Sequence, residues 1–526
     1  MQIMIDKFCE NLSSQSCLLE LKESNIGIEK ESLRVDKQGK ISHKRHPQRL
    51  GSSLTNSFIT TDYSEALIEM VTPPCKSGKD AIFFLENLHS FVHEGIKEES
   101  LWASSMPCII DGEKSIPIAY YGESNLGRMK TTYRRGLDSR YGRIMQVISG
   151  IHYNFSFSEN FWLIYREIVK SKENIDDFIS KNYFIILRNL LRHGWVLVYL
   201  FGCSPAICKS YLDGKRTDLK EFDKFTYYEH YATSLRMGNI GYQNNKEKDM
   251  GVMVDYNSIE NYIESLKRAI TNESSEYRKI GVLKDGYYKQ LNSYILQIEN
   301  EYYSSVRPKS SSKHNVNPIR SLNENGVKYI EIRSLDNNIF SPIGIEHDQV
   351  HFIELLIIYC LICGSEEITK EEYGLIQENL FGVAHFGRDT DFKINSKGNR
   401  NNVVKALELI FQDLEIVANY IDSSLNTSNY TDSLLLQRQK IQNQDLLPSK
   451  RILDKMSKEK YSFFELSMEL STNHKNYFKE YKTDKKLISL IKNECKDSIT
   501  KQRNIESDDT TNFDDFLHNY FSKVIP

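Results

Sequence analysis

The chain has 526 residues, with 68 Lys and Arg against 71 Asp and Glu, a net charge of −3 and a pI near 6.5. That length allows roughly two to four ordinary domains, or one large α/β unit with insertions. The charge balance supplies no global basic field for nucleic acid or an anionic membrane, and 40% hydrophobic with 26% charged residues is ordinary for a globular chain.

In chain order, residues 1–25 read as a short amphipathic helix. Two strands are expected within 27–72, around a loop that holds His46-Pro47, and Pro73-Pro74 ends the second because tandem prolines cannot continue a ladder. Over 80–96, Ile82, Phe83, Leu85, Leu88, Phe91 and Val92 recur at helical spacing. Residues 117–136 are rich in Gly and Arg and read as a loop, followed by a strand at His152 and helices over 159–202. The longest apolar stretch, 183–201, contains Arg188, Arg192 and His193, which fit a buried helix better than a membrane span.

Residues 228–243 are loop-like, and 255–270 and 274–281 read as helices. Strands are expected at 294–303 and 327–334, separated by a basic loop over 307–320. Pro342 breaks the chain before a helix at 346–363. Beyond 365 the chain is rich in Lys, Asn and Ser, with helical periodicity at 402–425 and 484–495. Strands separated by helices of varied length predict an α+β fold, and neither a GxGxxG nor a GxxxxGK[ST] nucleotide motif is present.

Nine scattered cysteines, an odd and sparse set, fit reduced thiols in a cytosol. Cys360 and Cys363 form a C-x-x-C inside an apolar run, where both read as small core hydrophobes rather than a redox or zinc pair. The first 17 residues carry no long apolar run, so no secretory signal is expected.

The most informative pattern is alternation. Strand geometry would put Glu29 with Glu31, Glu65 with Glu69, His152 with Asn154, Glu299 with Glu301, and Glu331 with Arg333 on shared faces. Buried unpaired carboxylates are too costly for such a face to be ordinary core, and hard divalent cations are its natural counter-charge. The Glu29 and Glu31 side chains would start about 6.5–7 Å apart, a spacing that suits two neighbouring ions. Taken singly, each motif has a blander reading. The Glu pairs can be solvated strand faces, His152 a satisfied core histidine, and Glu331–Arg333 an ion pair. Together they point to Mg²⁺ and phosphate chemistry, with Arg333 as a fixed cation beside a metal-binding carboxylate. Tyr133, Arg134 and Arg135, Arg236 and Tyr242, and Tyr303 and Arg307 are aromatic and basic residues of the kind that clamp a small carboxylate and wall a pocket, although loop packing and surface charge explain any one of them alone.

Segments 27–35, 59–74, 105–108, 148–156, 200–208, 295–303 and 329–336, colinear from about residue 20 to about 360, resemble the bacterial type of glutamate–cysteine ligase. The resemblance implies ATP- and Mg²⁺-dependent joining of the γ-carboxylate of L-glutamate to the amine of L-cysteine through γ-glutamyl phosphate, the first step of glutathione synthesis, with Mn²⁺ as an alternative ion. It implies a curved, mostly antiparallel sheet lining a funnel-shaped site, similar to glutamine synthetase and the guanidino kinases. Metal ligands would be Glu29, Glu31, Asp62, Glu69, His152 and Glu331. Arg333 would steady the transferring phosphate, and Asn154 would lie on the nucleotide side. Tyr133, Arg134, Gln146, Arg236, Tyr242 and Tyr303 would surround the amino acids. A ligase of the same fold with another acceptor amine is the alternative. The expected protein is a cytoplasmic monomer with small-molecule partners only, inhibited by glutathione because that tripeptide resembles both substrates. A catalytic core over 1–364 and a mainly helical region over 365–526 are expected, the latter without any motif of the family.

Overall fold

The alternating segments build one antiparallel sheet. In the computed structural model, which describes residues 2–241, 252–310, 317–396 and 398–522, its strands are β1 (Asn25–Val35), β2 (Ile59–Thr61), β3 (Leu67–Val71), β4 (Ser100–Leu101), β5 (Ile151–Ser156), β6 (Val306–Lys309) and β7 (Tyr329–Leu335). The order is β6-β7-β5-β1-β3-β2, with β4 paired to β1, and all pairings are antiparallel. The β5–β7 register shifts between Ile332 and Leu335, the kind of irregularity that bends a strand.

Period-two patterning divides the sheet into two chemically opposite faces. Ile26, Ile28, Ile68, Met70, Tyr153, Phe155, Ile330 and Ile332 turn to one side and join the main hydrophobic core. Helices Gly78–Ile96, Ile175–His193 and Trp195–Phe201 pack onto the sheet's strands, and His347–Ile362 packs behind them. His347–Ile362 is apolar nearly all round and correspondingly buried, as a helix enclosed by others must be. Helices Val403–Leu425 and Asn429–Gln442 extend this layer, while Lys485–Ser507 lies along Gly78–Ile96. The last described helix, Phe513–Ser522, reaches Asn125–Tyr141, where the Arg128 guanidinium sits 4.4 Å from the Phe513 ring centre.

Lys30 and Ser32 break the apolar rule on the back face. Lys30 is buried, and its ammonium donates to Ser32 Oγ at 2.5 Å. Burial lowers its pKa to about 7.

Three expectations are corrected by the structure. The segment 117–136 is not all loop: helix Asn125–Tyr141 starts at Ser124, whose side chain accepts from Gly127 N, and it carries Tyr133 and Arg134. Gly127 and Gly136 looked like breakers, but each allows a close approach, Gly127 to the Tyr121 carbonyl and Gly136 to the Gln297 amide. The expected strand at 294–303 is irregular, with one 3-10 turn at Glu299–Glu301. The basic loop at 307–320 contains β6 and helix Pro318–Asn325, with Asn317 capping the helix. A small sheet of Ala206–Cys208, Lys220–Glu221 and Thr226–Tyr228 was not anticipated.

Among the described residues no single helix is long and apolar enough to cross a membrane. The apolar stretch around 183–201 forms two helices that meet at a 54° bend, and Trp195–Phe201 is buried throughout. Cys360 is buried and Cys363 half-buried on helix His347–Ile362 and at its C-terminal end.

Candidate active site

The face opposite the core carries the acidic residues, and strand register decides which of them meet. Glu29 lies opposite His152, Glu31 opposite Glu69, and Glu331 opposite Asn154. Glu29 accepts hydrogen bonds from Asn154 Nδ2 at 2.8 Å and pairs with His152 Nδ1 at 3.1 Å. The same nitrogen lies 3.8 Å from Glu331 and 3.5 Å from Arg333 Nη1, while His152 Nε2 lies 3.9 Å from Glu31. Glu31 is held from the other side by the Gly150 N–H at 2.8 Å. Arg333 Nη1 and Lys309 Nζ each lie 3.3 Å from Glu331. Glu29, His152 and Glu331 each offer a ligand atom, all within 4.8 Å of one another.

Electrostatics divide this cluster. Burial alone would raise every carboxylate. At Glu331 that cost is outweighed by Lys309, Arg333 and His152, which hold it well below the usual carboxylate range. At Glu29 burial is outweighed by the His152 hydrogen bond and charge, although Glu331 opposes, and the net direction is downward. Glu69 goes the other way: burial, then the charges of Glu29, Asp62 and Glu31, drive it well above the usual range. Glu31 is likewise raised by burial, which His152 only partly offsets. The β1–β3 side of the face therefore buries carboxylates close to one another. A cationic ligand would relieve that crowding.

Around this centre the remaining residues fall into place unevenly. Asp62 follows β2, with its carboxylate half-exposed and 3.8 Å from Arg134 Nη2, and Arg134 Nε also donates to the Asp62 carbonyl. Arg236, buried on the 3-10 turn Leu235–Met237, donates from Nη2 to the Arg333 carbonyl at 2.9 Å. The Tyr303 hydroxyl meets Met237 Sδ at 3.4 Å beside it. Gln146 is buried on the turn Met145–Val147, just before β5. Tyr133 precedes Arg134 on its helix, so the two point about 100° apart, and Tyr133 packs against apolar clusters that include Leu137 and Met129. Tyr242 lies outside the described residues.

Glu65 and the Glu299–Glu301 pair are not part of the face. Glu65 sits in the turn before β3, where its carboxylate accepts the His46 and Tyr120 N–H groups, each at 2.8 Å. Glu301 is consumed by a buried ion pair with Arg140 at 3.0 Å. Lys309, within the expected basic loop, belongs to the face; its period-two spacing from Arg307 is the signal.

The family model described as glutamate–cysteine ligase matches residues 9–383. The chain belongs to the glutamate–cysteine ligase family. A glutamate–cysteine ligase from Alcanivorax borkumensis is 41% identical over 504 residues, covering 94% of this chain and 95% of that protein. The counterpart from Pseudomonas putida is 37% identical, covering 96% of each. A crystal structure of a glutamate–cysteine ligase from Francisella tularensis in complex with AMP superimposes with a TM-score of 0.88 at 32% identity, over 95% of this chain and 98% of that one. A bifunctional glutathione synthetase from Pasteurella multocida shares the fold, with a TM-score of 0.66 at 22% identity over 89% of this chain and 54% of that one. Among the described residues, Glu29, His152 and Glu331 are the group of acidic and histidine side chains close enough together to hold a metal ion.

Proposed function

We propose that ligation of glutamate to cysteine, the family's reaction and a step of glutathione biosynthesis, runs here through ATP-dependent phosphorylation of glutamate on the acidic face of the sheet. The carrying observation is the convergence of Glu29, His152 and Glu331 within 4.8 Å, with Arg333 alongside. AMP in the Francisella tularensis relative supports an adenine nucleotide as substrate.

The donor set fits a hard divalent ion: carboxylate oxygens predominate, one imidazole is admissible to Mn²⁺ as well as Mg²⁺, and Glu31 and Glu69 are buried among other carboxylates. Glu29, His152 and Glu331 would hold one such ion, with Glu31, Glu69 and Asp62 as the ligands of further ions. Bound metal would supply charge neutralisation on the phosphates.

A carboxylate is a poor electrophile because its leaving group would be oxide. Attack by the glutamate γ-carboxylate oxygen on the γ-phosphorus of ATP releases ADP and leaves an acyl phosphate. The cysteine amine then attacks the acyl carbon and loses a proton, and phosphate departs as the peptide bond forms. Arg333 presents a fixed cation where negative charge grows on the transferring phosphoryl group. Its ion pair with Glu331 aims it before substrate arrives. Asn154, fixed by its bond to Glu29, lies on the nucleotide side. Arg134, Arg236 and Tyr303, with Tyr133, Gln146 and Tyr242, surround the amino acids. The bent sheet is read as the wall of a funnel of the glutamine synthetase type, with 1–364 as catalytic core and 365–526 as a helical cover. Inhibition by glutathione follows if the tripeptide occupies both amino-acid positions; an unchanged initial rate at millimolar glutathione and subsaturating glutamate would reject it.

The test of the main reading is Mg²⁺-dependent ADP release with glutamate, with and without cysteine, and product masses by mass spectrometry. The expected result is cysteine-dependent ADP release with a γ-glutamylcysteine mass. ADP release indifferent to cysteine would overturn the assigned acceptor.

A further inference from the structure

Arg236 is 4% exposed, so its guanidinium pays for burial with partners. Nη2 is bonded to the Arg333 carbonyl, and Nη1 lies 3.7 Å from Asp336 Oδ1. Nε has no hydrogen-bond partner among the described residues. A buried donor without an acceptor is costly, and this one lies beside β7 at the edge of the acidic face.

Asp336 is itself 2% exposed and lies just beyond β7. Its Oδ2 accepts the Cys203 N–H and the Ser204 hydroxyl, each at 2.7 Å, and its Oδ1 accepts the Ser234 hydroxyl at 2.9 Å. The carboxylate thus ties three segments together: the end of β7, the turn after helix Trp195–Phe201, and the turn that carries Arg236. The guanidinium also lies against Gly150. A Cβ added there would come within 2.0 Å of Arg236 Nη2 and 2.6 Å of its Cζ. Gly150 is the residue before β5, and its N–H holds Glu31.

We propose that Asp336 and Gly150 are positioning residues that clamp the Arg236 guanidinium, so that its unpaired Nε faces a carboxylate of an amino-acid substrate. Asp336 supplies charge and a rigid anchor; Gly150 supplies the absence of a side chain. The proposal rests on the reading of Arg236 as a substrate ligand, and the two can fail separately.

The experiment is a steady-state comparison of D336N, R236K, the double variant and G150A in the full-length chain, with KM measured for each amino acid and for ATP. D336N is expected to raise the KM of one amino acid by about tenfold or more, with KM for ATP within about twofold. In the R236K background D336N is expected to add little, because both changes disturb one contact. G150A reaches the same guanidinium and is expected to raise the same KM, which keeps the test decisive if D336N does not fold. Full additivity of D336N and R236K, or equal effects on all three substrates, would reduce Asp336 to a structural anchor and overturn the proposal. If R236K raises an amino-acid KM but D336N and G150A do not, the clamp alone falls. If R236K changes neither amino-acid KM in an active enzyme, the reading of Arg236 falls and the clamp with it.

Discussion

The acidic face around His152 and the buried pocket around Arg140 both place full charges out of water, and they solve the cost in opposite ways. At Arg140, charge is matched. Its Nη1 pairs with Glu301 at 3.0 Å, and further bonds go to Gln290 Oε1 and to the Ile295 and Asn292 carbonyls. Glu301 accepts in turn from the Tyr141 hydroxyl at 2.8 Å and the Gln297 N–H at 2.7 Å. At the acidic face charge is crowded, and burial together with neighbouring carboxylates pushes Glu69 and Glu31 up. Matched charge makes a joint, here one that fixes the segment leading to Tyr303 against the helix that carries Arg134. Unmatched charge makes a binding site.

The contrast can be broken most forcefully at the site. Replacing Glu331 or Glu29 by Ala is expected to cut ligation by about a hundredfold or more, while Glu69→Ala, which removes a carboxylate that burial and neighbouring carboxylates push well above its usual range, is expected to leave the thermal transition without added metal unchanged or raised. Turnover close to wild type in a purified variant would refute the assignment. Breaking the matched pair should do the reverse. R140A strands a buried carboxylate and is expected to lose about 3–5 kcal/mol of stability, read by denaturant unfolding.

Metal should act on one region only. At about 100 times its dissociation constant, Mg²⁺ is expected to stabilise the wild type by about 2.7 kcal/mol and to leave E29A unshifted in a thermal melt. An equal shift in both would place the ion elsewhere.

The smallest effect is a slope. Glu354, buried in helix His347–Ile362, is raised to about 8, by burial, with the Tyr430 hydrogen bond pulling the other way. A raised folded-state pKa means that its favourable contribution is complete below about pH 4.5 and is lost as pH climbs towards 8. E354Q is therefore expected to gain stability relative to wild type as pH rises from 5 to 8, and to level off above. A pH-independent difference would show that Glu354 stays in one protonation state throughout.

Much of the site could be read along the chain because β1, β5 and β7 alternate. Glu29, Glu31, His152, Asn154, Glu331 and Arg333 needed only a period of two to share a face, and the apolar residues between them named the core. The same reasoning misled at Glu299 and Glu301. Their spacing is also two, but the segment turns in a 3-10 helix because Glu301 is drawn to Arg140 and Glu299 to Asn317 Nδ2 at 3.1 Å. Tyr133 and Arg134 were placed in a loop because Gly127 and Gly136 look like breakers when their close neighbours, Tyr121 and Gln297, are unseen.

The sequence by itself determined the alternation, the chemical opposition of the two faces and the likeness to a ligase family, because these follow from residue type and local spacing. Tertiary structure alone decided which carboxylates meet, that Lys309 stands beside Glu331, and that Asp336 and Gly150 flank Arg236. Strand register and the close approach of distant segments set those contacts, and neither is a property of any local stretch of chain.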